Sequence, residues 1–299
     1  MSVLLVALPG NEARTTRLAT RLSAEVAAAE FRRFPDGETY VRIDTPASGR
    51  TVVIVASLDR PDEKLPAILF AASAARECGA RRVVLTAPYL AYMRQDARFR
   101  PGEAVTAGVV ARWLSAAFDA IVAVDPHLHR VGSLGELYRV PTVAVSAASA
   151  IADHVRSSVE RPFIVGPDAE SGRWVGAVAA SLEAPCIVLE KVRRGDRDVL
   201  IGGADGAAMW KSRTPVLLDD IVSTGRTMIG AARLLEAAGF PPAVCVGVHA
   251  VFAPGAYDEL RRAHVARIVT CDTIEHPSNG ISLDESLARG VEEALARLA

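Results

Sequence analysis

The sequence predicts an α/β protein of two domains, each a mainly parallel sheet flanked by helices. Two observations carry this. Short, β-branched and nearly continuous apolar runs recur along the chain, and Ala-rich amphipathic stretches separate them. Strands buried on both faces read as such unbroken runs, and their alternation with helices is the pattern of crossover-connected parallel sheets.

In order, the strand candidates are VLLVAL (3–8), VVIVAS (52–57), RVVLTA (82–87), AIVAVD (120–125) and PTVAV (141–145). They continue with FIVGPD (163–168), CIVLEK (186–191), PVLLDD (215–220), VCVGVHAVF (244–252) and RIVTCD (267–272). Between them lie TTRLATRLSAEVAAA (15–29), LPAILFAASAARECG (65–79), AVTAGVVARWLSAAF (104–118), GRWVGAVAASLEA (172–184), TMIGAARLLEAAG (227–239) and DESLARGVEEALARL (284–298), several ending at Gly as helices do. So many strands suit two sheets better than one, and 299 residues can bury two moderate cores. The expected domains are residues 1–145 and 146–299, with no linker or low-complexity segment between them. The C-terminal helix is also free to pack back onto the first domain.

Half the residues are hydrophobic and 23% are charged, ordinary proportions for a globular protein. The net charge of −1 gives no general electrostatic case for nucleic acid or an anionic membrane, so any anion site must be local. The four cysteines, Cys78, Cys186, Cys245 and Cys271, show no CxxC spacing and read as buried free thiols. The N-terminal apolar run is too short for a signal peptide and lacks a basic flank. No apolar run reaches the ~20 residues a membrane helix needs. The chain reads as cytoplasmic.

The most specific stretch is VLLDDIVSTGRTM, Val216–Met228. Three strand-forming residues lead into adjacent carboxylates, Asp219 and Asp220, which can accept hydrogen bonds from sugar hydroxyls. The turn Ser223, Thr224, Gly225, Arg226, Thr227 then opens a helix. The first N–H groups of a helix are unpaired, and its dipole places roughly half a positive charge there. That is a phosphate site, and acids beside it suit a pentose phosphate. Other strand ends are polar as well: Asp125 with His127, Asp168, and Lys191 with Arg193. In parallel sheets such ends form the ligand-binding rim. No GxxxxGK[ST] pattern occurs, which excludes a P-loop.

The Asp219–Thr227 pattern resembles the phosphoribosyl pyrophosphate motif of type I phosphoribosyltransferases. FPDGETYVRI (34–43), YMRQDARFR (92–100), VDPHLHR (124–130) and TCDTIEH (270–276) extend the likeness nearly end to end, to the ribose-phosphate pyrophosphokinase family. The resemblance implies two tandem phosphoribosyltransferase-like domains, the first carrying ATP-side loops and the second the ribose-phosphate site. It implies transfer of the diphosphoryl group of Mg–ATP to the C1 hydroxyl of ribose 5-phosphate, releasing AMP.

The residue roles follow from the same resemblance. Phe34 stacks on adenine, with Asp36, Gly37 and Glu38 completing a loop contributed by a neighbouring subunit; Arg94 and Gln95 bind ATP. His127 and Asp168 hold the Mg2+. Lys191 and Arg193, on a loop closing over the phosphates, neutralise charge in the transition state. Asp219, Asp220 and Ser223–Thr227 bind ribose 5-phosphate. The implied assembly is a homo-oligomer built on a dimer, with tetramer and hexamer both open. His129, His154, His249, His264 and His276 read as structural, His249 as core.

The chain departs from the family at several positions. Ser223 stands where an acid is frequent, Arg226 where Gly is, Glu170 and Ser171 where a glycine pair is, and Val192 where a basic residue is. Two rival readings remain: a phosphoribosyltransferase consuming phosphoribosyl pyrophosphate, which needs neither the RQD segment nor the adenine loop, and a non-catalytic regulatory relative.

Overall fold

In the computed structural model the described residues are 2–128, 130–168, 171–189, 191–194, 197–200 and 208–299, with backbone alone at 173, 191–194, 197–200 and 208. The chain forms two compact units, Met1–Ser146 with Asp284–Ala299, and Ala147–Leu283.

The first unit runs β1 (Val3–Ala7), α1 (Glu12–Arg21), β2 (Glu25–Val26), β3 (Ala29–Arg33), β4 (Thr39–Ile43), β5 (Thr51–Val55), α2 (Pro61–Glu77), β6 (Arg82–Ala87), α3 (Thr106–Ala117), β7 (Ala120–Val124) and β8 (Thr142–Val145). The second runs α4 (Ala148–Ser158), β9 (Pro162–Gly166), α5 (Gly172–Leu182), β10 (Cys186–Val188), β11 (Lys191–Arg194), β12 (Arg197–Leu200), β13 (Thr214–Val222), α6 (Arg226–Ala237), β14 (Ala243–Ala250), α7 (Ala256–Arg261), β15 (Val265–Cys271) and β16 (Asn279–Ile281). The chain closes with α8 (Asp284–Arg297).

Each unit holds a parallel sheet, β2-β1-β5-β6-β7-β8 in the first and β10-β9-β13-β14-β15-β16 in the second. The runs TVVIV of β5 and AIVAV of β7 are buried at every position, as two-sided covering by helices requires. α2 begins with Pro61 and carries Asp62 and Glu63 in its first turn, matching the fixed φ and the positive end of the helix dipole. In the second unit Phe163 anchors the core, with Phe240 at 5.6 Å and Trp210 at 5.0 Å between ring centroids.

Several expectations change. The stretch 15–29 is helical only to Arg21. Ala24 N–H bonds back to Ala19, Ser23 takes φ +49, and Ala27 N–H then reaches Leu5 on β1. Pairing at the sheet edge outweighs alanine's helix preference here. The run 186–191 stops at Val188, and Lys191–Arg194 instead pairs antiparallel with Arg197–Leu200. Cys245 and Cys271 are buried, but Cys78, at the end of α2, and Cys186, on the edge strand β10, are exposed.

The C-terminal helix departs from a division at 145/146: α8 packs on α1, β7 and β8 of the first unit. Asp284, 4% exposed, opens it and receives Arg17 Nε at 2.5 Å, with Arg14 at 3.7 Å.

Candidate functional site

In the second unit the site grows from β13. Its pairing with β9 ends at Leu217, while pairing with β14 continues through Asp219 opposite Gly247 to Val222 opposite Ala250. The paired acids therefore sit inside the strand, just past the point where one neighbour stops. Both are half-buried. Asp219 Oδ1 accepts the N–H of Asp220 at 3.0 Å, and Asp220 Oδ1 accepts that of Ile221 at 2.8 Å. Burial, then the charges of Asp220 and Asp168, push the Asp219 carboxyl up to about 8. Asp168 follows the adjacent strand β9, so three carboxylates gather at the C-terminal edge of this sheet.

Beyond β13 the turn is held in place by Ala253 N–H, which donates to Ser223 O at 3.0 Å. Gly225 takes φ +68 and serves as the N-cap of α6, where no side chain caps the helix. Its carbonyl accepts the first helical bond, from Ile229 N–H at 2.8 Å. The helix start can thus offer N–H groups to an external acceptor, that of Arg226 also reaching Thr224 Oγ1. Thr224 Oγ1 lies 3.5 Å from Arg226 N. The Arg226 side chain, in contrast, lines a groove of about 740 Å³ between α6 and α7 with Arg233, Glu259 and Arg262.

The strand end at Asp168 is shaped by Ser171. This residue is buried, donates its Oγ–H to Asp168 O at 2.6 Å, and occupies the space a side chain at Gly166 would need. Glu170 lies outside the described residues. Lys191 and Arg193 stand on β11 by backbone, opposite Leu200 and Asp198, and their side chains lie outside the description.

In the first unit FPDGETYVRI forms the turn and second strand of an antiparallel ribbon. Phe34 N–H donates to Glu38 O and Gly37 N–H to Phe34 O, both at 2.9 Å, and Asp36 Oδ1 accepts the Glu38 N–H at 3.1 Å. Gly37, at φ +92, supplies the backbone this turn demands. Phe34 is 40% exposed at the tip.

Arg94 and Gln95 follow β6, and His127 follows β7, so all three lie beyond the C-terminal ends of neighbouring strands. Arg94 is exposed, and His127 half-buried. Gln95 Nε2 donates to Ala97 O at 3.1 Å and to Glu103 at 3.3 Å. Glu103 also accepts the N–H groups of Phe99 and Arg100. Tyr92, at φ +60, is anchored to Asp62, whose carboxylate accepts its O–H and holds the phenol up at about 12.

The motif reading missed one connection. Asp96, with a side chain 1% exposed, pairs with Arg130 at 2.9 Å, tying the loop of Arg94 to that of His127. Burial pushes the Asp96 carboxyl up, but the Arg130 backbone N–H and guanidinium more than offset this and hold it down. Arg130 also lies over the Phe99 ring, 4.9 Å from its centroid. His249, 1% exposed and 2.9 Å from Thr273 Oγ1, is a core residue.

The donor set bears on a metal. Among the described residues no group of three or more His, Cys, Asp or Glu could hold an ion. Magnesium keeps several waters and takes one or two carboxylates plus phosphates, so a sparse protein site fits it. The crowding of Asp168, Asp219 and Asp220, which pushes the Asp219 carboxyl up, is what a nearby cation would relieve.

Comparison with known proteins gives one consistent answer. Residues 3–117 match the family model for the N-terminal domain of ribose phosphate pyrophosphokinase, and residues 133–286 that for the phosphoribosyl transferase domain. A ribose-phosphate pyrophosphokinase of Methanopyrus kandleri is 38% identical, over 92% of this chain and 94% of its own. One from Methanosarcina acetivorans is 32% identical, over 97% and 98%. The crystal structure of phosphoribosylpyrophosphate synthetase from Mycobacterium smegmatis superposes with a TM-score of 0.85 at 25% identity, covering 99% of this chain and all of the other. With two tandem phosphoribosyltransferase-like domains and relatives of one activity along its whole length, the chain belongs to the ribose-phosphate pyrophosphokinase family of diphosphoryl-transferring enzymes of nucleotide biosynthesis.

Proposed function

We propose that the substrates are ATP and ribose 5-phosphate, and that the residues singled out above divide the work between them. The observation that carries this is the Asp219–Thr227 stretch, where a crowded carboxyl pair leads within a few residues to an uncapped helix start. Asp219 and Asp220 orient the ribose hydroxyls. Ser223–Thr227 hold the 5-phosphate through hydroxyl and backbone N–H donors. Phe34, with Asp36, Gly37 and Glu38, receives the adenine, and Arg94 and Gln95 the polyphosphate, for which a guanidinium fork is suited.

Lys191 and Arg193 neutralise charge on the transferring diphosphoryl group and the departing AMP. The C1 hydroxyl oxygen bonds to the β-phosphorus, the bond from that phosphorus to the α,β-bridging oxygen breaks, and the hydroxyl proton leaves to solvent. Positioning and charge stabilisation account for most of the rate in such transfers, so no nucleophilic side chain is required. Mg2+, offered His127 and Asp168 as protein ligands, would supply further neutralisation of the phosphate oxygens. The working enzyme is a cytoplasmic homo-oligomer built on a dimer.

The test is a phosphorus NMR time course with ribose 5-phosphate, ATP and magnesium, beside Lys191→Ala. AMP and a pyrophosphorylated sugar should appear together and be lost in the variant. Binding of ribose 5-phosphate with no AMP formed would instead favour the transferase or regulatory reading.

A further inference from the structure

The β3–β4 ribbon has two unlike faces. Phe31 and Val41 pack inward on the core of the first unit. The opposite face carries Glu30, Arg32 and Phe34 along one strand and Tyr40 and Arg42 along the other, with Glu30 opposite Arg42 and Arg32 opposite Tyr40. These side chains form a continuous run. Asp44 meets Arg42 at 2.8 Å, Arg42 meets Glu30 at 3.2 Å, and Glu30 meets Arg32 Nε at 3.3 Å. The Arg32 guanidinium carbon then lies 4.0 Å from the Tyr40 ring centroid and 4.5 Å from that of Phe34. The two rings stand 5.9 Å apart at 86°, and the guanidinium fills the corner between them.

Exposed ion pairs of this kind add little to stability. What the run does is geometric. Glu30 holds Arg32 by its Nε, which leaves the guanidinium plane free to lie against aromatic rings. Phe34 sits at the tip of a two-stranded ribbon, an element of marginal rigidity on its own. Arg32 lies over its ring and the Tyr40 ring stands at 86° to it, while Phe34 stays 40% exposed and so open to a stacking partner.

We propose that Arg32 is a positioning residue for the donor nucleotide: with Tyr40 it fixes the Phe34 ring so that a purine base stacks on that ring. The proposal rests on the reading of Phe34 as the base platform. Arg32 acts through Phe34 and touches neither phosphate nor sugar. A cation–π contact at an exposed site corresponds to a several-fold effect in an equilibrium constant. Arg32→Ala is therefore expected to raise KM for ATP about fivefold, with kcat and KM for ribose 5-phosphate within about twofold of the parent. Arg32→Lys keeps the charge but not the flat stack, and should fall between.

Steady-state kinetics on the full-length enzyme test this with Arg32→Ala, Arg32→Lys, Phe34→Ala and the Arg32→Ala/Phe34→Ala double variant, and with inorganic tripolyphosphate as a base-free competitor. Support requires that Phe34→Ala raise KM for ATP, that the double variant be no worse than Phe34→Ala, and that the Ki of tripolyphosphate be unchanged by Arg32→Ala. If Phe34→Ala leaves KM for ATP alone, the platform reading fails and the proposal with it. If Phe34→Ala acts but Arg32→Ala does not, the proposal alone is overturned. An additive double variant, or weakened tripolyphosphate inhibition in Arg32→Ala, would place Arg32 on the phosphates and overturn it too.

Discussion

Gly225→Ala separates the left-handed backbone that the turn before α6 adopts from the role proposed for that turn, which is to present N–H groups to a phosphate. At φ +68 a β-carbon at this position would meet Ala256 O at 3.7 Å, Leu260 Cβ at 3.8 Å and Ile229 Cδ1 at 3.9 Å, all ordinary contacts. Space is therefore not the obstacle. The whole cost is the left-handed conformation of an L residue, roughly 1–2 kcal/mol. Part of it will be relieved by rotating the backbone toward negative φ, which re-aims the N–H groups of Arg226 and Thr227. The expected result is a loss of about 1–2 kcal/mol in urea unfolding together with a several-fold rise in KM for ribose 5-phosphate. KM for ATP should not move. A stability loss well above this would mean that the β-carbon clashes. The expected stability loss with an unchanged KM for ribose 5-phosphate would refute the assignment of the sugar phosphate to this helix start.

Two further predictions concern charge and packing. Burial and the neighbouring carboxylates of Asp220 and Asp168 push the Asp219 carboxyl up from 3.8 to about 8, so between those values the folded state holds a proton within this group that the unfolded chain has released. Stability therefore falls as pH rises through that window, and Asp219→Asn should flatten the difference in urea midpoint between pH 5.5 and 7.5; equal slopes in both proteins would show that Asp219 ionises normally. On α8, a methyl at Gly290 would collide with Val145 Cγ2 and reach Val122 Cγ1 at 3.0 Å. Gly290→Ala should cost about 1–3 kcal/mol by overpacking, read by urea unfolding, and a neutral result would argue that α8 is not seated on β7 and β8.

The parts of this fold that were legible in the sequence are those whose chemistry is contiguous. Central strands such as β5 and β7 are buried on both faces, so their apolar runs announce them. Edges and ribbons lack that signature. β2 has only Glu25 and Val26, both exposed, and its existence depends on a neighbour. The β3–β4 ribbon does carry an alternation, Phe31 and Val41 inward against Arg32 and Tyr40 outward, but it is short and interrupted by the turn-forming PDGE at its tip. For α8, amphipathic spacing predicts the helix but cannot name the sheet it covers. Gly290, facing three valines, becomes informative only once the partner is known.

The same distinction runs through the site. Asp219, Asp220 and the turn to Thr227 are consecutive, and strand and helix geometry alone bring carboxylates and a helix start together there. The proposed nucleotide side is assembled differently. Asp96 and Arg130 are 34 positions apart, and their pairing joins the loops of Arg94 and His127. Arg32 reaches Tyr40 and Phe34 only because the ribbon register sets it opposite. Such couplings leave no local pattern in the chain, since each residue taken singly reads as a solvated charge. If the proposed nucleotide site is correct, a variant of Arg130 or Arg32 would look neutral by sequence and still disturb nucleotide binding, whereas damage at Asp219–Thr227 is evident from the residues themselves.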